Sequence, residues 1–246
     1  MKISVQCYTL RNEFEKDPDG TFARLRRMGF NWVETAGLYG LTPVQFKAMV
    51  DKHELKVSGA HVGLDRVEDD FNGLVEEMRI LGTKDVIVPW VPEERYKNGW
   101  DRFAETLTPK IVRLEKAGLR FSYHNHAFEF KFQGDRPGLD GFYEAGDARL
   151  HAQLDIYWCY KGGQDPAAYI KKLKGRILSV HLKDGTGPDT PHVAPGRGVL
   201  DWGSILAACE YSGVEVGTIE YDECVGSPFD AVEASLKYFR SKGYSE

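Results

Sequence analysis

The 246 residues predict a single closed (β/α)8 TIM barrel, and three observations carry that prediction. Strand-like and helix-like patterns alternate from end to end with a period of about thirty residues, which implies parallel strands joined by right-handed crossovers. Eight such units in this length fit a closed barrel, which typically takes about 250 residues, better than an open sheet. No G-x-G-x-x-G follows the first strand, which counts further against a nucleotide-binding doubly wound fold. No linker or low-complexity stretch interrupts the pattern, so residues 1–246 are expected to form one domain.

Each element has its own signal. Lys2–Gln6 reads as the first strand, and a helix over about 22–28 ends at Gly29, a natural stop. Trp32 to Thr35 is the second strand, followed by a helix that Thr42-Pro43 opens with a cap and a proline in the first turn. Lys56–His61 and a helix over 70–81 make the third unit; Asp85 to Trp90 and a helix over about 100–117 make the fourth. Leu119–His124 precedes a short helix over 138–144, and Leu150–Asp155 precedes one over about 166–173. Ile177 to Val180 is a short apolar run rich in β-branched residues, the seventh strand. A long loop, 185–200, leads to Asp201 and a helix through about Tyr211; Val214–Glu220 and a helix over 229–240 complete the set.

Composition narrows the function classes. A hydrophobic share of 42% suits a globular core, and a formal charge of -5 argues against a nucleic-acid partner. No apolar run has the length of a membrane span and the first residues carry no long apolar signal region, so no membrane role is expected. Cys7, Cys159, Cys209 and Cys224 are scattered without a C-x-x-C pair and read as reduced thiols of a cytoplasmic protein.

Function is expected where the strands end, because the C-terminal ends of barrel strands converge on one face. Arriving there are Glu34, His61, His124 with His126 and Glu129, Asp155, His181 with Lys183, and Glu220. A lone strand-end carboxylate is usually a helix cap or an ion-pair partner, and a lone His a structural one. Several strands delivering the same residue types to one mouth are harder to explain that way. Imidazoles with several carboxylates form a ligand set for a divalent ion.

The strings YHNHAFEF, LDIYWCYKGGQDP, VHLKD, PGRGVLDW and GTIEYD resemble the motifs of the xylose-isomerase-like barrel family of sugar phosphate isomerases and epimerases, in order and over nearly the whole chain. The resemblance implies one catalytic divalent metal held by Glu, Asp, His and Glu, with Asp155, His181 and Glu220 matching cleanly. Many members carry a glutamate in an E-N-H string at the fifth strand, where this chain has His124-Asn125-His126. Glu129 is therefore favoured as the fourth ligand. A set with Glu129 favours Mn²⁺ or Mg²⁺, whereas His124 in its place moves the preference towards Zn²⁺ or Co²⁺. Trp158 stands where related epimerases resemble D-x-x-H; it either stacks on a sugar ring or caps the barrel mouth.

The activity this implies is sugar or keto-sugar isomerisation or epimerisation by proton abstraction beside a carbonyl, through an enediolate, with Glu129 and Glu220 moving the proton. His61, His124, Trp158, Lys183 and Arg197 are expected to bind the carbohydrate, with Glu34 orienting His61 and Tyr8 and Trp90 lining the walls. Lys183 would stabilise an enolate oxygen, and Arg197 would clamp a hydroxyl or phosphate. His53, His151 and His192 read as structural. The alternative is a lyase or dehydratase on an inosose or 3-keto-glycoside, in which the enediolate expels a β substituent. An abasic-site endonuclease resembling endonuclease IV needs three zinc ions and extra histidines, and Trp158, Pro89-Trp90 and the acidic charge argue against it. A non-catalytic sugar-binding barrel is disfavoured by the intact carboxylate set. Aromatic loops near Tyr96 and Trp100 would serve a subunit contact in a homo-oligomer.

Overall fold

The computed structural model describes residues 1–244. Eight parallel strands, β1 (Lys2–Gln6), β2 (Trp32–Ala36), β3 (Lys56–His61), β4 (Asp85–Val88), β5 (Arg120–His124), β6 (Leu150–Asp155), β7 (Ile177–Leu182) and β8 (Val216–Ile219), form a closed barrel. Sequence neighbours pair all the way round, and β1 closes on β8 through Lys2–Val216 to Val5–Ile219.

The principal helices are α1 (Pro18–Met28), α2 (Pro43–Lys52), α3 (Phe71–Leu81), α4 (Trp100–Lys116), α5 (Gly138–Ala145), α6 (Pro166–Lys172), α7 (Trp202–Ser212) and α8 (Pro228–Ser241). At α2 the expected cap is a full capping box: Gln45 N–H donates to Thr42 Oγ1 at 3.3 Å, and Thr42 N–H donates to Gln45 Oε1 at 2.9 Å. α1 starts four residues earlier than expected, because Asp17 accepts from Gly20 N–H and Pro18 opens the first turn. Short helices over Arg11–Lys16, Leu64–Asp69, Glu93–Tyr96 and Ile156–Lys161 lie between strands and principal helices.

Period-2 alternation divides each strand between two environments. Ile3 and Val5, Phe121 and Tyr123, Ala152 and Leu154, and Val180 and Leu182 are buried members of the apolar core, with Phe22, Phe46, Met78, Leu107 and Ile111 of the helices. The alternate positions carry Ser4 and Gln6, Glu34, Ser122 and His124, Gln153 and Asp155, Ser179 and His181, Thr218 and Glu220, all buried. Their side chains bond across the barrel: Ser4 with Ser58 at 2.8 Å, Gln6 with Glu34 at 2.8 Å, and Gln153 with Glu34 at 2.7 Å. The lumen is therefore polar, and such groups are tolerated there only because they satisfy one another.

Trp100 is 2% exposed and stacks on Tyr96 at 4.1 Å between ring centroids, so its ring belongs to the core, while Tyr96 is half-buried. The exposed aromatics of that region are Trp90 at 53% and Phe132 at 66%. Among the described residues no helix is long and apolar enough to cross a membrane, and all four cysteines are unpaired.

Candidate active site and metal group

Four side chains from the C-terminal ends of β5, β6 and β7 and from just past β8 form one buried group. His124, Asp155, His181 and Glu220 each offer a ligand atom within 4.8 Å of every other. Asp155 serves two purposes. Its Oδ1 caps the Ile156–Lys161 helix by accepting from Trp158 N–H at 2.9 Å, while its buried Oδ2 is held only by an ion-pair contact with Lys183 Nζ at 2.9 Å. One oxygen of this strand-end aspartate thus caps a helix while the other faces the buried group.

Behind this group Glu34 is the hub of the lumen. Its Oε1 accepts from His181 Nε2 at 2.6 Å and Gln6 at 2.8 Å, and its Oε2 from Gln153 at 2.7 Å and Thr218 at 3.2 Å. Glu34 thus orients His181 more directly than the expected His61, whose Nε2 is 3.2 Å away and donates instead to Gln153 Oε1 at 2.7 Å. Gln153 Oε1 also accepts from His124 Nδ1 at 3.2 Å, which fixes that tautomer and leaves Nε2 as a lone pair on the side of Asp155 Oδ2, 3.9 Å away. Sequence reasoning missed Gln153, although its position two residues before Asp155 places it on the same strand face.

The electrostatics follow from burial and pairing. Burial lowers the His181 pKa, but Glu220 (2.6 Å from Nδ1) and Glu34 override it and raise it to about 10. Burial opposes ionisation of Glu220 too, yet Lys183 and His181 hold it well below the usual carboxylate range. At Asp155 burial outweighs Lys183 and His181, leaving a pKa of about 6. Lys183 Nζ stands 2.6 Å from Glu220, 2.9 Å from Asp155 and 2.7 Å from Asp222.

These residues fit a divalent ion. Four carboxylates (Glu34, Asp155, Glu220, Asp222) face two cations (His181, Lys183), which leaves an excess of about two negative charges in a mostly buried site. Two imidazoles (His124, His181) and two carboxylates (Asp155, Glu220) make a four-ligand set of mixed nitrogen and oxygen, with Asp155 Oδ2 neutralised only by the Lys183 ammonium.

A family model described as xylose isomerase-like TIM barrel matches residues 22–242. The chain belongs to that family. Its curated relatives include the inosose dehydratase of Geobacillus kaustophilus (strain HTA426), 22% identical over 89% of this chain and 85% of that protein. Among solved structures, a sugar phosphate isomerase/epimerase from Parabacteroides distasonis ATCC 8503 superposes with a TM-score of 0.87 at 20% identity, covering 100% of this chain and 95% of that one. A 3-keto-D-glucoside 4-epimerase from E. coli gives 0.72 at 17% identity, over 98% of this chain and 99% of that one.

Two of the expected site residues lie outside the four-residue group. Glu129 is not in the four-residue group. It lies on the turn Phe128–Phe130, past the end of β5, and its carboxylate accepts from Tyr123 OH at 2.9 Å and His126 N–H at 2.8 Å. Burial raises its pKa to about 8. Arg197 is exposed and lines a cleft with Val193, Tyr221 and Val225.

Trp158 and Tyr157 line another cleft, of about 450 Å³, with His192 and Asp222. Trp158 Nε1 is buried without a partner, and the Lys183 ammonium lies 5.4 Å from its ring centroid. His192, which reads as structural in the sequence, accepts from Asp222 N–H at 3.3 Å and borders this cleft. The signal for Asp222 was its position two residues beyond Glu220, as Lys183 stands two beyond His181. Tyr8 and Trp90 are exposed, and His61 stacks on His181 at 5.3 Å.

Asp184 is the anchor of the 185–200 loop. It accepts from Gly196 N–H at 3.0 Å, Gly198 N–H at 3.2 Å and Trp202 Nε1 at 2.8 Å. A Cβ at Gly198 would lie 2.0 Å from Asp184 Oδ1, so the loop closes onto the carboxylate only with glycine there. Asp184→Ala strands these donors together with the N–H groups of Gly185 and Leu200 and is expected to cost about 2–3 kcal/mol, read from urea unfolding, with faster proteolysis in the loop.

Proposed function

We propose that this chain is a divalent-metal-dependent isomerase or epimerase that acts on a sugar or keto-sugar by moving a proton next to a carbonyl. The carrying observation is the buried His124–Asp155–His181–Glu220 group, whose four ligand atoms lie within 4.8 Å of one another. These four are proposed as the ligands, with His124 in the place expected for Glu129. Two imidazoles move the preference from Mn²⁺ or Mg²⁺ towards Zn²⁺ or Co²⁺. When bound, the ion supplies Lewis-acid polarisation of the substrate carbonyl, which acidifies the neighbouring C–H.

The chain's own residues do the proton work. Glu220, kept ionised by Lys183 and His181, is the base. Glu129, kept protonated by burial, is the acid that returns the proton. Lys183 stabilises the enediolate oxygen, and Trp158 and His61 border the substrate. Return to the adjacent carbon gives isomerisation; return to the opposite face gives epimerisation. The second reading, loss of a β substituent from the same enediolate, is favoured by the inosose dehydratases among the relatives.

Two measurements test the reading. Elemental analysis is expected to find about one divalent ion per chain, lost in His181→Ala and His124→Ala and kept in Glu129→Gln. Incubation of a panel of keto-sugars and inososes in ²H₂O is expected to wash deuterium into one carbon beside the carbonyl. A dehydrated or cleaved product moves the assignment to the lyase; no ion, even after reconstitution, sinks the mechanism.

A further inference from the structure

We propose that Lys183 is a cation that the metal group carries within itself, and that Asp222 is the positioning residue that takes it over when a divalent ion binds Asp155 and Glu220. The inference rests on the metal reading above and adds a determinant of metal affinity.

The ammonium and the ion claim the same two oxygens. Lys183 Nζ is 2.9 Å from Asp155 Oδ2 and 2.6 Å from Glu220 Oε2. Those are the oxygens that face the imidazoles: Glu220 Oε2 lies 2.6 Å and Asp155 Oδ2 3.9 Å from His181 Nδ1, and Asp155 Oδ2 lies 3.9 Å from His124 Nε2. A divalent ion ligated at about 2 Å by both carboxylates would sit within a few ångströms of the ammonium, a like-charge contact that the low-dielectric interior screens poorly. The ammonium must turn away, and being buried it needs another acceptor.

Asp222 is built to be that acceptor. Its Oδ2 already holds Lys183 at 2.7 Å. It lies outside the four-residue group, and its side chain is 31% exposed while those of Asp155 and Glu220 are 0% and 6% exposed. Solvent on the cleft side keeps its charge cheap to maintain. Its backbone is fixed on both sides: the N–H donates to His192 Nδ1 at 3.3 Å, and the carbonyl accepts from Arg11 at 3.1 Å. The Trp158 ring, 5.4 Å from Nζ, lines the same side. Lys183 thereby balances the buried carboxylates before the ion arrives, and afterwards is presented beside the cleft where substrate oxygens would lie.

The test is a double-mutant cycle in Co²⁺ affinity, measured by titration calorimetry on the metal-depleted full chain. Lys183→Met is expected to tighten Co²⁺ by about tenfold or more, since it removes the competitor. Asp222→Asn is expected to weaken Co²⁺ about five- to tenfold alone, and less than twofold in the Lys183→Met background. An equal loss in both backgrounds means that Asp222 acts only as a distant charge and overturns the proposal. Weaker Co²⁺ binding by Lys183→Met also overturns it. If Lys183→Met does not fold without metal, Asp222→Asn decides through its melting point: a loss concentrated in the Co²⁺-bound form supports the proposal, and equal losses in both forms overturn it. A wild type that binds no Co²⁺ overturns both this proposal and the metal reading. Wild-type binding without coupling overturns this proposal alone.

Discussion

Glu34→Ala is expected to destabilise the folded chain by about 3–5 kcal/mol, the loss typical of breaking a buried ion pair from one side. The substitution leaves His181 without one of its two carboxylates and strands the amides of Gln6 and Gln153 and the hydroxyl of Thr218. For a chain of this size the melting point should fall by roughly 6–20 °C. Glu34→Gln, which keeps an acceptor but no charge, should lose less stability while still lowering the His181 pKa from about 10, because Glu34 is one of the two carboxylates that raise it. The pH dependence has a definite sign. Burial acts against ionised Glu34, yet His181 and His61 hold its pKa well below 4.5. Its contribution is therefore full above about pH 4.5 and lost as the pH falls through the folded-state value. His181 runs the other way: its contribution is full below 6.5 and lost as the pH rises through about 10. Metal-free protein should thus lose stability on the alkaline side. Metal binding, which needs a neutral His181 Nδ1, should strengthen over the same range, with about one proton released per ion. Urea unfolding from pH 4 to 10, and calorimetry in buffers of different ionisation enthalpy, check both.

The fold was legible because β and α patterns alternate without interruption. β3 and β6 fall on Lys56–His61 and Leu150–Asp155 as expected, where the polarity change at each strand end is sharp. The short helices after the strands were not legible, since four to six residues carry too little periodicity to register. Asp155, His181 and Glu220 were legible as candidates for a physical reason. A strand end has a fixed direction, so its last inward side chain must point into the mouth. Glu129 had no such constraint. It sits on a turn beyond β5, and its direction is set by Tyr123 OH and His126 N–H, contacts that only the packed structure determines. Gln153 and Thr218 could be placed in the lumen by parity, but nothing local says that both serve Glu34, a residue more than a hundred positions away. His192 was hidden for the same reason: it reaches the cleft only because Asp184–Gly185 pairs antiparallel with His192–Val193.

The proposed reading, in which Glu129 lies outside the metal ligands, separates proton transfer from metal binding, and Glu129→Gln tests it. If Glu129 were a ligand, the amide would lower metal content and activity together. With His124 as the ligand, Glu129→Gln should keep its ion and lose about 10²–10⁴-fold in kcat, the usual worth of a positioned acid or base. The fold should survive, because glutamine still accepts from Tyr123 OH and His126 N–H. Glu220→Gln should instead lose both ion and activity, and Lys183 with it loses an acceptor at 2.6 Å. Burial raises Glu129 to about 8 in the metal-free chain, so its acid form prevails at neutral pH and is lost above that value. A divalent ion nearby favours the carboxylate and pulls this value down. The wild-type kcat/KM profile should therefore have an alkaline limb at or below about pH 8, and the residual activity of Glu129→Gln should lack it. Deuterium exchange separates the two half-reactions. Glu129→Gln should still abstract the proton through Glu220 and wash in solvent deuterium, while failing to deliver a proton to the second position. Exchange lost in step with turnover would make Glu129 the base, and the two carboxylates would trade roles.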